Sequence, residues 1–336
     1  MAKERDEARP PQRPVDSVRV GTAHAAPGAV RHGRVWATGY VPDLMPPLTL
    51  VGGARAGPVV AVLAGLHGDE ATAVEAVRRL AERLDPEQMA GTAILVPVVN
   101  VPGFRDRRPQ VNPLDGQDLE RAFPGAPRGG PTTRLAHALT DQVVAVADAV
   151  LEVRSGGSVL EGLPFCLVEP GVGEATADGA DLAWARAVGG DVVVARRPRS
   201  LLAAARALGK RSLLVHGGGG GYRPEDAEPL TDALLRALAH LGIAVGAGGA
   251  APPPGQVLTW TWLMAPADGY WRPLLPLGAA AAAGEAVGEV APLEGGGRRP
   301  VAVLAPEAGR VLMRCAALAA RTGSALAVLA APAATT

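Results

Sequence analysis

Aromatic residues are scarce in this 336-residue chain, with five Trp, three Tyr and three Phe, or 3% of the total. A core short of large rings has to be built from Ala, Val and Leu, which requires its elements to approach closely. Excess charge of either sign is also lacking, because 33 Lys and Arg balance 33 Asp and Glu. Without a basic surplus nothing holds a phosphate backbone, which argues against a dedicated nucleic-acid binder. Cysteine is limited to Cys166 and Cys315, far apart in apolar surroundings. That excludes a disulfide framework and a Cys-rich metal site, and it fits a reducing compartment. No continuous apolar run suits a membrane span. The longest uncharged stretch, Leu241 to Ala267, is broken by Pro252, Pro253, Pro254 and several glycines, so no membrane association is expected. The opening MAKERDEARPPQRP alternates charge with proline and lacks an apolar h-region, so a secretory signal is not expected and a cytoplasmic location is.

What is present suffices for a globular fold. Hydrophobic residues make up 48% of the chain, well above the level of disordered chains. A tail over 1–16 is expected to be disordered. Beyond it, short β-rich runs alternate with helical patterns, which predicts an α/β domain over 17–245 with a largely parallel sheet. Val59–Ala64 is a continuous apolar run, as in a buried strand. Val74, Val77, Leu80 and Leu84 follow at helical spacing, stopped by Asp85-Pro86. Further strands are predicted at Ala93–Val99, Ala149–Val153, Asp191–Ala195 and Ser212–His216. Helices are predicted at Arg134–Val146, Leu201–Leu208 and Asp226–Leu241. A Gly/Pro-rich linker over 246–255 precedes a small C-terminal all-β domain over 256–336. There Thr259-Trp260-Thr261-Trp262 alternates with period two, placing both indoles on one face. The paired runs Ala265-Pro-Ala-Asp-Gly269 and Ala305-Pro-Glu-Ala-Gly309 suggest an internal repeat.

Three segments carry candidate chemistry. Gly65-Leu66-His67-Gly68-Asp69-Glu70 follows directly on the first buried strand, and strand ends in open α/β sheets are where sites form. His67 and Glu70, three apart at a helix start, would aim an imidazole and a carboxylate at one point, half of a zinc shell. The bland alternative is a solvated helix entry whose acidic residues favour the helix dipole. Asp115-Gly-Gln-Asp-Leu-Glu-Arg121-Ala-Phe-Pro-Gly125 is a turn-rich loop in which Arg121 would clamp a carboxylate, or else pair with Asp118 at the surface. Leu213-Leu-Val-His216 runs into five glycines, Gly217–Gly221, which permits close approach of backbone or ligand. With no following Gly-Lys-Ser/Thr, the run is not a P-loop.

In order along the chain, these segments, together with Val99-Asn-Val-Pro-Gly103, Ser155-Gly-Gly157 and the two Ala-Pro-x-x-Gly runs, resemble the succinylglutamate desuccinylase/aspartoacylase family, relatives of the zinc carboxypeptidases. The resemblance extends from about Val59 to the C-terminus. It implies a zinc-carboxypeptidase-like sheet flanked by helices, one zinc ion, and hydrolysis of an N-acyl amino acid amide or related bond. By resemblance His67 and Glu70 are metal ligands and Arg121 holds the substrate carboxylate.

Other positions depart from the family pattern. Arg154 stands where a histidine ligand is expected, His216 where a glutamate base is expected, and Glu120 where an asparagine is expected. Guanidinium has no lone pair to donate and stays charged. At ~4 Å it repels a unit positive charge by roughly 4 kcal/mol at an effective dielectric near 20, and a divalent ion by about twice that. Three readings follow. In one, His216 completes a His67, Glu70, His216 zinc site, Glu120 or Glu152 acts as base, and the chain is a deacylase-type hydrolase. In the second, the metal is absent, Arg154 pairs with Glu70, and the pocket binds an acyl amino acid or similar carboxylate without cleaving it. In the third, the chain is a scaffold for a partner enzyme, engaged through its β-domain.

Overall fold

The structure is a computed structural model that describes residues 17–37, 44–170, 179–243, 252–294 and 299–333. The predicted tail over 1–16 and most of the predicted linker, 246–251, lie outside the described residues. A twelve-stranded sheet organises the chain, in the spatial order Ala280–Ala281, Gly309–Cys315, Ala325–Pro332, Pro254–Met264, Gly190–Val194, Leu160–Val168, Arg211–Gly219, Ala149–Arg154, Arg55–Ala64, Ala90–Val96, Pro47–Gly52, Val30–Arg34.

The centre of this sheet is covered on both faces. In the run Val59–Ala64, Val60, Val62 and Ala64 join one core with Ala73, Val77 and Leu80 of the Ala71–Arg83 helix and Leu234 of the Pro224–His240 helix. Val59, Ala61 and Leu63 join the opposite core with Leu135 and Leu139 of the Pro131–Leu139 helix. Successive side chains of a strand point to opposite faces, so a strand feeding two cores has no polar position to spare. The shortage of aromatics shows directly here: among the described residues Trp184 is the bulkiest fully buried side chain, its indole donating to the Ala237 carbonyl at 3.0 Å, in a core otherwise dominated by Ala, Val and Leu.

The sheet is mixed rather than largely parallel. Arg55–Ala64 runs parallel to both Ala90–Val96 and Ala149–Arg154, and the latter parallel to Arg211–Gly219. Leu160–Val168 lies antiparallel to Arg211–Gly219. That strand follows Arg154 after only a short turn, whereas a parallel return requires a crossover of about a dozen residues or more. Its Gly162 and Pro164 hid it from pattern reading, although Pro164 is exposed and costs the ladder little.

The C-terminal strands join the same sheet: Pro254–Met264 pairs in parallel with Gly190–Val194, and Gly309–Cys315 touches Leu160–Val168. A separate four-stranded sheet, Val301–Leu304, Ala286–Ala291, Gly269–Pro273 and Ala319–Ala320, completes this region. Each Ala-Pro-x-x-Gly run is a bend that opens into a strand, and its first alanine, Ala265 or Ala305, is buried in one shared core. Trp260 and Trp262 share a face, their rings edge-on at 5.6 Å. Among the described residues no helix is long and apolar enough to cross a membrane.

The glycine run serves backbone contact. Gly219 has φ +123°, and a Cβ there would stand 2.3 Å from the Leu160 carbonyl oxygen. Gly220 and Gly221 donate to the Leu160 and Gly157 carbonyls, so the run braces the 155–161 turn. Gly219→Ala is expected to lower unfolding free energy by about 2–4 kcal/mol in urea denaturation, whereas Gly179→Ser, at a position with open space around it and no positive φ, changes it by less than about 1 kcal/mol.

Candidate functional site

Four segments converge at the carboxyl ends of the central strands. The first is the 65–70 loop. Asn100 fixes it, donating to the Leu66 carbonyl at 3.2 Å and accepting from Gly103 N–H at 3.1 Å. Gly68 packs so tightly on this segment that a Cβ would lie 1.9 Å from the Gly103 oxygen. His67 is thereby held at the strand end. Glu70 sits at the N-cap of the Ala71–Arg83 helix, yet its side chain makes no capping bond; its carboxylate is used elsewhere.

That use is Arg154. Glu152 and Arg154, two apart at the end of the Ala149–Arg154 strand, project from one face. Arg154 Nε donates to Glu70 Oε1 at 2.8 Å and Oε2 at 3.0 Å. Its Nη1 donates to Glu120 Oε2 at 2.8 Å and Glu152 Oε1 at 3.0 Å. Its Nη2 lies 2.8 Å from His67 Nδ1. A second guanidinium, Arg197, beyond the Gly190–Val194 strand, places Nη2 at 2.5 Å from Glu120 Oε1 and 3.1 Å from Glu152 Oε1. Arg154, Glu120, Arg197 and Glu152 form a closed ring of alternating charge. Burial works against the charge of Arg154, but Glu70, Glu120 and Glu152 outweigh it and raise its pKa further. Burial would also push the Glu120 carboxyl up, yet Arg154, Arg197 and His67 hold it well below the usual carboxylate range.

His67 is pulled both ways. Burial and the Arg154 charge disfavour its protonation; Glu70 and Asp118 favour it and prevail, raising the pKa to about 9. The Arg154 contact describes the neutral ring, the form present above that pKa. A guanidinium only donates, so in that form Nδ1 is the acceptor and Nε2 carries the proton, facing Asp118 at 3.7 Å and Glu120 at 3.6 Å. A second proton on Nδ1 would turn to Glu70 Oε1 at 3.3 Å and displace Arg154 Nη2.

The expected site residues thus divide. His67, Glu70, Glu120 and Arg154 come together. His216 does not join them, although Arg154 is its register partner on the next strand. Its ring stacks on Phe165 at 4.6 Å and sits under Gly162, and both ring nitrogens are buried without a hydrogen-bond partner. Burial first, and then the Arg154 charge, lower its pKa to about 3, so it is a neutral packing residue and makes no contact with the lone pairs of the cluster. Arg121 does not reach the cluster either. Its side chain is 83% exposed and stands 3.5 Å from Asp118. Glu120 is a poor base where it lies, since both its oxygens are committed to guanidiniums.

A zinc ion does not fit these residues. Zn–N and Zn–O bonds of about 2.0–2.2 Å need free lone pairs converging on one point, and here those lone pairs are taken: His67 Nδ1 meets Arg154 Nη2 and both Glu70 oxygens accept from Arg154 Nε. Among the described residues no group of three or more His, Cys, Asp and Glu is disposed to hold a metal ion.

Two participants were not anticipated from the sequence. Arg197 belongs to the Arg196-Arg197 pair just beyond the 190–194 strand, and a basic pair past a strand end is a readable signal. Glu169, at the end of Leu160–Val168, is buried and accepts from Ser200 Oγ at 2.8 Å, while Ser200 also caps the Leu201–Ala207 helix through Ala203 N–H. Burial raises the Glu169 pKa to about 7, against the opposing pull of Ser200 and Arg197.

Comparisons with known proteins bear on this arrangement. Residues 56–241 match the model of the succinylglutamate desuccinylase/aspartoacylase catalytic domain. The N-alpha-acetyl-L-2,4-diaminobutyric acid deacetylase of Halomonas elongata is 38% identical over 122 residues, 36% of this chain and 35% of that protein, so the match spans about a third of the curated relative's length. The product-bound structure of the ectoine utilization protein EutE (DoeB) from Ruegeria pomeroyi superposes with a TM-score of 0.80 at 27% identity, covering 95% of this chain and 99% of that one. A succinylglutamate desuccinylase/aspartoacylase from Rhodobacter sphaeroides superposes with a TM-score of 0.78 at 27% identity, covering 95% and 97%.

Two outcomes are expected from the cluster. Arg154→Ala leaves buried carboxylates unpaired and lowers stability by about 3–5 kcal/mol in urea denaturation. For Glu169 the folded pKa lies above the ordinary 4.5, so the unfolded chain releases this proton first. Stability from this group is complete below pH 4.5 and declines as pH rises to 7. Glu169→Gln therefore unfolds at a higher temperature than the parent at pH 8 and at the same temperature at pH 4, as read by calorimetry.

Proposed function

The chain belongs to the succinylglutamate desuccinylase/aspartoacylase family, a family of N-acyl amino acid deacylases, and from that premise we propose that it is a metal-free member that binds a small acylated amino acid or related carboxylate without hydrolysing it. The observation that carries this reading is the Arg154 guanidinium, bonded at once to Glu70, Glu120, Glu152 and His67. In the position where the family pattern has a neutral ligand, this chain has a cation whose hydrogen bonds use the two donors a metal would need.

The same exchange removes the means of activating water. The glutamate expected as general base is the buried, neutral His216, and Glu120 is held ionised between two arginines with its basicity spent on them. General base catalysis contributes about 10²–10⁴-fold, so its loss adds to the loss of the metal. What remains is a surface suited to a carboxylate: two guanidiniums held in place by buried partners, open to solvent on the side of His67 and Glu120, whose side chains are 14% and 23% exposed. The Halomonas relative is a deacetylase of an N-acetylated diamino acid; ligands of that general class, carrying an amide and a carboxylate, are the ones to test.

Metal content by mass spectrometry after zinc loading and dialysis is the direct test, with less than about a tenth of an ion per chain expected. Arg154→His restores a lone pair and removes the repelling charge, and is expected to raise zinc affinity by about 100-fold or more. Over a panel of N-acetyl amino acids, the parent chain should release no amine above the buffer blank, with or without zinc. Stoichiometric zinc in the parent, or zinc-dependent turnover, would replace this reading with that of a hydrolase.

A further inference from the structure

Among the carboxylates that meet the two guanidiniums, Glu120 differs from its companions. The Glu70 and Glu152 side chains are 3% and 0% exposed, whereas that of Glu120 is 23% exposed. Its carboxylate also bridges: one oxygen lies 2.8 Å from Arg154 Nη1, the other 2.5 Å from Arg197 Nη2 and 3.2 Å from Arg197 Nε. His67 Nε2 approaches at 3.6 Å. This is how two arginines and an imidazole would hold a free carboxylate.

The guanidiniums do not depend on Glu120 for their positions. Arg154 is also held by Glu70, Glu152 and His67, and Arg197 by Glu152. Arg197 Nη1 is buried with no hydrogen-bond partner, a donor that Glu120 leaves unused. The Glu120 backbone is fixed by its own N–H, which donates to Asp118 Oδ1 at 2.9 Å, and by fully buried Leu119. The side chain therefore extends from a fixed anchor into the ring and can swing out without unfolding the turn.

From these contacts we infer that Arg154 and Arg197 form a carboxylate-binding site that the chain's own Glu120 occupies as a removable intramolecular ligand. An incoming small carboxylate takes the bridging position between Arg154 and Arg197, and Glu120 turns to solvent. An intramolecular competitor acts at an effective concentration in the millimolar range or above, so the parent chain binds simple carboxylates weakly. Occupancy requires a ligand whose remaining groups add contacts of their own. The inference rests on the reading of the cluster as a carboxylate site, and its test is separate from that of metal content.

The experiment compares the parent with Glu120→Ala and Glu120→Asn, the second keeping a polar side chain too short to bridge. Thermal unfolding is followed at pH 7.5 with sodium acetate, with N-acetylglycine, and with sodium chloride at matched ionic strength. In both variants acetate at roughly 50 mM should raise the unfolding temperature by about 3 °C or more, with a change under about 1 °C in the parent and in chloride. N-acetylglycine should act at lower concentration than acetate. The response should vanish in Glu120→Ala/Arg197→Gln. Equal responses in parent and variants, an equal effect of chloride, or a response that survives the loss of Arg197 would each overturn the assignment. So would a complete lack of response in whichever of the two variants folds. A zinc-binding parent whose Glu120 variants still respond to acetate would overturn the metal-free reading and leave this one standing.

Discussion

The arrangement of the whole site depends on one buried cation. A guanidinium inside a protein is tolerated only if nearly every N–H finds an acceptor and its charge finds opposite charge. Arg154 meets both conditions by drawing on Glu70 at a helix start, Glu152 on its own strand, Glu120 in a 3₁₀ turn and His67 in a loop. The fold brings the segments 67–70, 120 and 152–154 to one end of the sheet, and one side chain bonds to all of them. Such a network adds little net stability over a well-packed apolar substitute, but breaking it is costly. It fixes relative positions more than it deepens the fold.

This makes the three departures from the family pattern mutually dependent. A cation at 154 requires compensating anions, and Glu120 adds one to Glu70 and Glu152 where the pattern has a neutral amide. A cation at 154 also disfavours a second positive charge on the neighbouring strand, and His216, in register with it, is held neutral by burial against Phe165. A glutamate at 216 would lie beside Arg154 as a further acceptor, while a histidine there packs and stays silent. Under the proposed function, the changes amount to one exchange of a metal centre's electrostatics for an ion-pair ring. They do not describe independent losses.

Much of the fold was legible in the sequence because its strongest signals are local. Val59–Ala64 reads as a buried strand since it is one, feeding both cores, and the Val74, Val77, Leu80 spacing marks a helix that forms one residue inside its predicted end. What pattern reading missed has non-local causes. Leu160–Val168 carries Gly and Pro and owes its place to the short turn that forbids a parallel return. The N-terminal strands Val30–Arg34 and Pro47–Gly52 pair across a sheet edge that no local periodicity announces. At the site, the strand-end position of His67 and the anomaly at Arg154 were readable. The failure of His216 to join them was not, because it turns on a ring stack with a residue of an unforeseen strand. Arg197 was missed for a similar reason: its partners Glu120 and Glu152 are 77 and 45 residues away.

The ring also explains why one of its carboxylates, and not another, can yield to a ligand. Glu152 is wholly buried and tied to both guanidiniums through one oxygen, while its second oxygen has no partner. Moving it would take a carboxylate from a place with no path to solvent and remove one of the two bridges between the cations. Glu70 is tied to Arg154 through both oxygens and stands at the head of a helix that packs across the core. Only Glu120 combines a solvent-facing side chain with a position between both arginines and a backbone anchored independently of its carboxylate. A carboxylate that replaces it restores the same charge in the same place, so the buried cations never go uncompensated during the exchange. The electrostatic requirement that built the ring is thus the condition that allows one member to be substituted from outside.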